Sequence, residues 1–305
     1  MDVVDNIKKL KKNLYSTDLT IFLFHGVIKK KVKNDSIRNY NHKHICIDKF
    51  KKYIKFLSKN GEAITLNDIK DLKKNYKKKY IITFDDGFYN NYKFALPILK
   101  KYKIPHIIYL TTDYIDKNLI SWIDRIDIAI DLSKKKTINS NFFKKEFKIG
   151  NKKEKIIFLN FIRDYCKSLK KIDLNKFSEF LLKDLNLKSP KTSNSDLDKK
   201  LNWEHIKKMN KSNLTEFGGH SHTHNILGHL NFTQYNKELK KSISLIKKKA
   251  KININHYSYP EGFKTSYNNK IIQILKKKGI KTGVTTLSDK NKSKSFFKLN
   301  RIFVN

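Results

Sequence analysis

Short apolar runs bounded by charge alternate along this chain with segments whose apolar residues recur every three or four positions. The runs at 20–27, 63–66, 80–84, 106–110, 214–217, 256–259 and 280–285 predict strands. The segments at 48–59, 67–76, 90–103, 235–249 and 267–278 predict helices; Phe50, Ile54 and Phe56/Leu57 mark the buried side of the first, and Phe94, Leu96, Ile98 and Leu99 that of the third. Strand following helix in this order implies an α/β architecture with a parallel sheet, open or closed into a barrel. The interval 113–202 breaks the pattern. It is helix-rich, carries lysine runs and ends in a polar stretch at 189–198, so it reads as an insertion within a single unit spanning 1–305.

Composition bounds the picture further. The 305 residues are 39% hydrophobic and 12% aromatic, enough for a real core despite a mean hydropathy of -0.62. No apolar run reaches the ~18 residues of a membrane span, and the opening 1–12 lacks the apolar stretch of a signal peptide, so the expected compartment is the cytoplasm. The net charge is +39. Only Arg38, Arg125, Arg163 and Arg301 are arginines, leaving 63 lysines spread over every segment, whereas base readout leans on bidentate arginine. A solvated lysine-rich surface is the expectation, with electrostatic contact to anionic surfaces open and no specific nucleic-acid partner. Cys46 and Cys166 have no metal-type spacing and read as reduced structural thiols.

The candidate chemistry lies at strand ends. Residues 80–84 run into Asp85-Asp86-Gly87, two carboxylates with a glycine that permits a sharp turn; one can hold a metal while the other takes a proton, or the pair can be a helix cap and turn. Residues 214–217 run into Gly218-Gly219-His220-Ser221-His222-Thr223-His224. His220 and His224 can supply two imidazoles to one ion, with His222 turned elsewhere, or the three can be a surface cluster.

Thr83-Phe84-Asp85-Asp86-Gly87, the stretch from Leu96-Pro97 to Ile104-Pro105, and His220-Ser221-x-x-His224 together resemble the polysaccharide deacetylases of the NodB-homology type, carbohydrate esterase family 4. The likeness runs from about Leu19 to the C-terminus, excepting the insertion. It implies a distorted (β/α)7 barrel, a divalent metal, usually zinc, on Asp86, His220 and His224, and Asp85 as general base. A Tyr259-Pro260-Glu261-Gly262 turn is similar to the family's third block; the resemblance implies that the Glu261 amide faces the oxyanion and that Tyr259 lies near substrate. The arginine that often precedes this block is absent, and Arg301 is the substitute candidate for orienting Asp85. No histidine follows His256 to serve as the usual C-terminal acid. Leu23-Phe24-His25 instead closes the first strand, as in the circularly permuted branch that includes poly-N-acetylglucosamine deacetylases, which implies His25 as the acid. Ser121-Trp122-Ile123-Asp124-Arg125 is similar to a segment of some cell-surface polysaccharide members; Trp122 either stacks on a pyranose or anchors the insertion.

The implied activity is a hydrolase acting on non-peptide C–N bonds of linear amides, removing acetyl groups from N-acetylated sugars of a polysaccharide or glycan precursor. Two alternatives are a non-catalytic glycan-binding barrel of the same fold and a basic nucleic-acid-binding protein, although the chain carries no known nucleic-acid motif.

Overall fold

The computed structural model describes residues 3–29, 32, 35–71, 78–288 and 295–304. Its strands are β1 (Leu19–Phe24), β2 (Gly26–Ile28), β3 (His44–Cys46), β4 (Glu62–Ala63), β5 (Lys79–Phe84), β6 (His106–Leu110), β7 (Thr137–Ser140), β8 (Lys145–Lys148), β9 (Thr215–Gly219), β10 (His256–Ser258), β11 (Thr282–Val284) and β12 (Ile302–Phe303). Its α-helices are α1 (Val3–Tyr15), α2 (Ile47–Asn60), α3 (Leu96–Lys101), α4 (Thr112–Lys117), α5 (Trp122–Leu132), α6 (Lys152–Ser168), α7 (Leu174–Asp184), α8 (Trp203–Asn210), α9 (Phe232–Ala250) and α10 (Asn269–Lys277).

The main sheet runs β11-β10-β9-β6-β5-β1-β12, every pair parallel, with β4 beside the start of β5. Its two ends meet: Val284 of β11 bridges Leu299, which leads into β12. This curled parallel sheet with helices packed around it is the distorted barrel that the family resemblance implies. Strands β1 and β5 are apolar on both faces, as a parallel strand covered on both sides must be. Phe22, Phe24, Tyr80, Ile82 and Phe84 point outward into the core shared with α2 and α3, whereas Ile21, Ile81, Ile107 and Tyr109 fill the barrel interior.

Several boundaries differ from the sequence expectation. Residues 20–27 are not one strand; β1 stops at Phe24, and β2 pairs with β3 instead of the main sheet. Gly26 makes this possible, because a Cβ there would sit 2.0 Å from His44 Nδ1. The helix expected at 90–103 opens with a wide π-turn, Asn91–Ala95, in which the Leu96 N–H donates to Asn91 O just ahead of Pro97, a residue with no N–H to give. Of the helix expected at 67–76, the described part holds a 3-10 turn at Asp68–Asp71, and 72–77 lie outside the described residues.

Strands β6 and β9 pair directly from His106↔Thr215 to Leu110↔Gly219, so everything between them is an excursion from the sheet. That excursion carries α4 to α8 together with an antiparallel β7–β8 hairpin that the helical reading did not include. It has its own apolar centre, with Trp122, Ile126, Phe158, Ile162 and Leu181, joined by Ile37 and Ile226. No helix among the described residues is long and apolar enough to cross a membrane.

Two interior histidines give the fold an acid sensitivity. His106 donates from Nδ1 to Ile104 O and accepts at Nε2 from Thr215; burial pushes it down to about 4, and burial does the same to His256. Because the folded-state value lies below the ordinary 6.5, the stability tied to a neutral ring is complete above 6.5 and is lost as the pH falls toward 4. At pH 5 each ring is expected to cost about 2 kcal/mol relative to pH 7.5. Urea unfolding at the two pH values measures this; a pH slope unchanged in His106→Gln would show that His106 does not contribute.

Candidate active site

The β1–β5 register Leu23↔Thr83 carries the inward-facing row two residues further, to His25 and Asp85 at the same rim. Asp85 is held by Arg301, which is 0% exposed: Nη1 donates to Oδ1 and Nη2 to Oδ2, each at 2.7 Å. Arg301 is itself fixed through Nε to Thr285 O, Nη1 to Thr83 Oγ1 and Nη2 to Ser258 Oγ. Burial alone would raise the Asp85 carboxyl, but the Arg301 guanidinium and then His220 outweigh it and hold the group below the ordinary carboxylate range. The structure thus gives Asp85 an arginine partner at the position picked from sequence.

Asp86 would face away from Asp85 if the strand continued. Instead Asp86 and Gly87 both take left-handed backbone (φ 68° and 66°), turning the second carboxylate onto the same rim. A Cβ on Gly87 would press within 2.7 Å of Ile115. Asp86 Oδ1 lies 3.6 Å from His220 Nε2 and 3.3 Å from His224 Nε2, and this buried oxygen has no hydrogen-bond partner among the described residues. His220 donates from Nδ1 to Ser258 O at 2.8 Å, which leaves the Nε2 lone pair for the site. One ligand atom from each of Asp86, His220 and His224 lies within 4.8 Å of the others. An orphaned carboxylate oxygen between two imidazole nitrogens, one of them oriented by a carbonyl, fits a divalent cation such as zinc.

The histidine loop is shaped from behind. Ser221 and His224 have φ of 59°, and Glu238 of α9 accepts at Oε2 from the His222 and Thr223 N–H groups and at Oε1 from the Thr223 hydroxyl. Ser221 N–H donates to the Tyr257 hydroxyl. His222 turns away as expected, bonding Thr112 Oγ1 and lying 3.6 Å from Asp113. Burial lowers His220, whereas for His224 the Asp86 charge more than offsets burial and raises it.

His25 is half-buried, stands edge-on to Phe303 and has a buried Nδ1 without a partner among the described residues. Burial pushes it down to about 4 although Asp86 and Asp85 pull the other way. Burial thus favours the neutral ring, so His25 must gain a proton before it can act as an acid.

Three expectations change or sharpen. Tyr259 does not line the mouth: it is buried, stacks on Tyr267 at 4.3 Å and donates its hydroxyl to Phe297 O, because the β10 alternation turns it outward into the core. Trp122, 1% exposed, sits in the apolar centre of the excursion, so its ring faces are taken by protein and the anchoring reading holds over the pyranose-stacking one. Glu261 lies near enough to His224 for their charges to interact. Its φ of 62°, followed by Gly262 at 63°, forms a turn pinned by Thr286, while its carboxylate meets Lys167 of α6 at 3.1 Å. Burial would raise that carboxyl, and Lys167 and then His224 bring it below its usual value.

Sequence reasoning missed Lys43 and Lys200, and named Asp124 within the 121–125 motif without giving it a role. Lys43 Nζ lies 3.1 Å from Asp86 Oδ2; burial would lower the ammonium, but Asp124 and Asp86 raise it. Lys200 packs its Nζ 3.4 Å from the Phe88 ring centroid, and burial, with Lys43 nearby, pushes it down to about 8. Nothing in a chain with 63 lysines marks these two out.

Residues 73–283 match the family model described as polysaccharide deacetylase. Among solved structures, the chain is similar to the Streptococcus pyogenes deacetylase PplD in complex with acetate, at 17% identity and a TM-score of 0.58, covering 94% of this chain and 92% of that one. IcaB from Ammonifex degensii gives 16% identity and a TM-score of 0.57 over 94% and 91% of the respective chains. A de-N-acetylase from Aggregatibacter actinomycetemcomitans gives 15% and 0.57 over 94% and 95%. No protein of curated function matches the chain.

Proposed function

Since the chain belongs to the polysaccharide deacetylase family, and is thereby a deacetylase hydrolase, we propose that it removes N-linked acetyl groups from the sugars of a polysaccharide or glycan precursor in a metal-dependent reaction. We further propose that 1–305 form one catalytic unit in which 113–202 are the insertion. The observation that carries the reading is Asp86 Oδ1, buried and unpartnered between the Nε2 atoms of His220 and His224.

A divalent cation on these three residues, zinc by the chemistry of the donor set, supplies Lewis-acid polarisation and brings the pKa of water toward ~7. Asp85, kept ionised by Arg301, takes the proton from the attacking water. The water oxygen bonds to the acetamide carbon, and the Glu261 N–H donates to the oxygen that becomes negative. His25, neutral at rest, takes up a proton from solvent and passes it to the sugar nitrogen as the C–N bond breaks, while Asp85 returns the water proton to solvent, giving acetate and a free amino sugar. The lysine-rich surface favours an anionic glycan or a glycan on an anionic surface. With a base, an acid and a donor set all filled, a barrel that only binds glycan has no observation in its favour.

Metal analysis followed by acetate release from N-acetylated oligosaccharides tests this. Chelation is expected to abolish release and one equivalent of zinc to restore it. Release indifferent to chelation would refute metal dependence, and release only from O-acetyl esters would refute amide cleavage.

A further inference from the structure

Asp86 has two oxygens with different surroundings. Oδ1 faces the imidazoles, whereas Oδ2 lies 3.1 Å from the Lys43 ammonium. The same ammonium lies 3.1 Å from Asp124 Oδ2 and 3.5 Å from its Oδ1, and 4.8 Å from the centre of the Phe88 ring. Its side chain is 16% exposed, so the two contacts form with little water to screen them. Asp124 is not free to move. It lies in the first turn of α5, its N–H capped by Ser121 Oγ and its Oδ2 receiving the Ser121 hydroxyl at 2.6 Å. Three separate stretches of chain therefore converge: the residue before β3, the turn after β5 and the start of α5 in the 113–202 segment.

Given the metal reading above, on which this rests, we propose that Lys43 is a positioning residue: it occupies Asp86 Oδ2 so that Oδ1 alone serves as ligand, and through Asp124 it ties the 113–202 segment to the metal site. A carboxylate with a free second oxygen can rotate or chelate through both atoms, which raises the coordination number and fills the position a water needs. An ammonium suits the bridge because it is a compact point charge whose donors reach two carboxylates from different directions, which a planar guanidinium does less well. The segment thus contributes to metal geometry without supplying a ligand.

Cobalt(II) is the probe, since its visible absorption reports coordination geometry independently of turnover. Wild type is expected to bind one cobalt ion. Lys43→Met is expected to bind it about 10–100-fold more weakly, the effect usual for removing a group that orients a ligand, with a changed visible band. Lys43→Arg should recover part of the affinity, and Asp124→Asn should show a smaller loss and a band shifted in the same direction. Lys43→Met with wild-type affinity and spectrum would overturn the proposal. Tighter cobalt binding would overturn it too, because the lysine would then act only by charge repulsion. If Lys43→Met does not fold, the other two variants decide, and unchanged affinity and spectrum in both would overturn it. Wild type that binds no cobalt would instead remove the metal reading itself.

Discussion

Asp85→Asn is expected to retain one metal per chain while acetate release falls about 10²–10⁴-fold, the range usual for loss of a general base. The substitution keeps the shape of the side chain and one oxygen for Arg301 but removes the proton acceptor. Asp85 Oδ2 lies 3.8 Å from His220 Nε2, beyond the separations of the Asp86 oxygen from either imidazole, so the donor set survives. His224→Ala should do the reverse, losing the metal and the activity with it. Zinc content measured beside turnover separates the two cases. Asp85→Asn with wild-type turnover would end the assignment of the base, and His224→Ala with full metal content would end that of the ligand.

What could be read in advance follows from how the two motifs encode position. Strand ends were visible as apolar runs stopping at Asp85 and His220, and the period of a strand places His25 and Asp85 on one face once Leu23 and Thr83 are paired. The turn of Asp86 onto the same rim depends on a positive φ that Gly87 hints at without specifying. The ion pairs were harder to see. Arg301 is 216 positions from Asp85, and it is a candidate only because the arginine that often precedes the Tyr259-Pro260 turn is absent. Lys43 offered no such sign. Glu238 sits in the middle of α9, where an acidic residue ordinarily means a solvated face, yet it shapes the histidine loop. The motif placed Tyr259 near substrate, and Trp122 left stacking and anchoring equally open; only the packing shows that the barrel wall and the excursion's own core claim both rings.

Arg301→Met is expected to be the most destabilising single change, costing about 3–5 kcal/mol because it strands a buried carboxylate that had been neutralised. The chemistry should shift with it. In the wild type the guanidinium overrides burial and keeps Asp85 ionised above the ordinary carboxylate range; its stabilising contribution is complete there and is lost as the pH falls below it. With Arg301 gone the burial effect stands unopposed and the Asp85 value rises, so the acid limb of activity should move to higher pH and the remaining turnover should recover as the pH increases. Pairing Arg301→Met with Asp85→Asn removes both charges, and the double variant should be more stable than the sum of the single losses. Strictly additive losses, measured by urea unfolding, would show that the 2.7 Å contacts do not couple the pair, and an unmoved acid limb would show that Arg301 does not set the ionisation of Asp85.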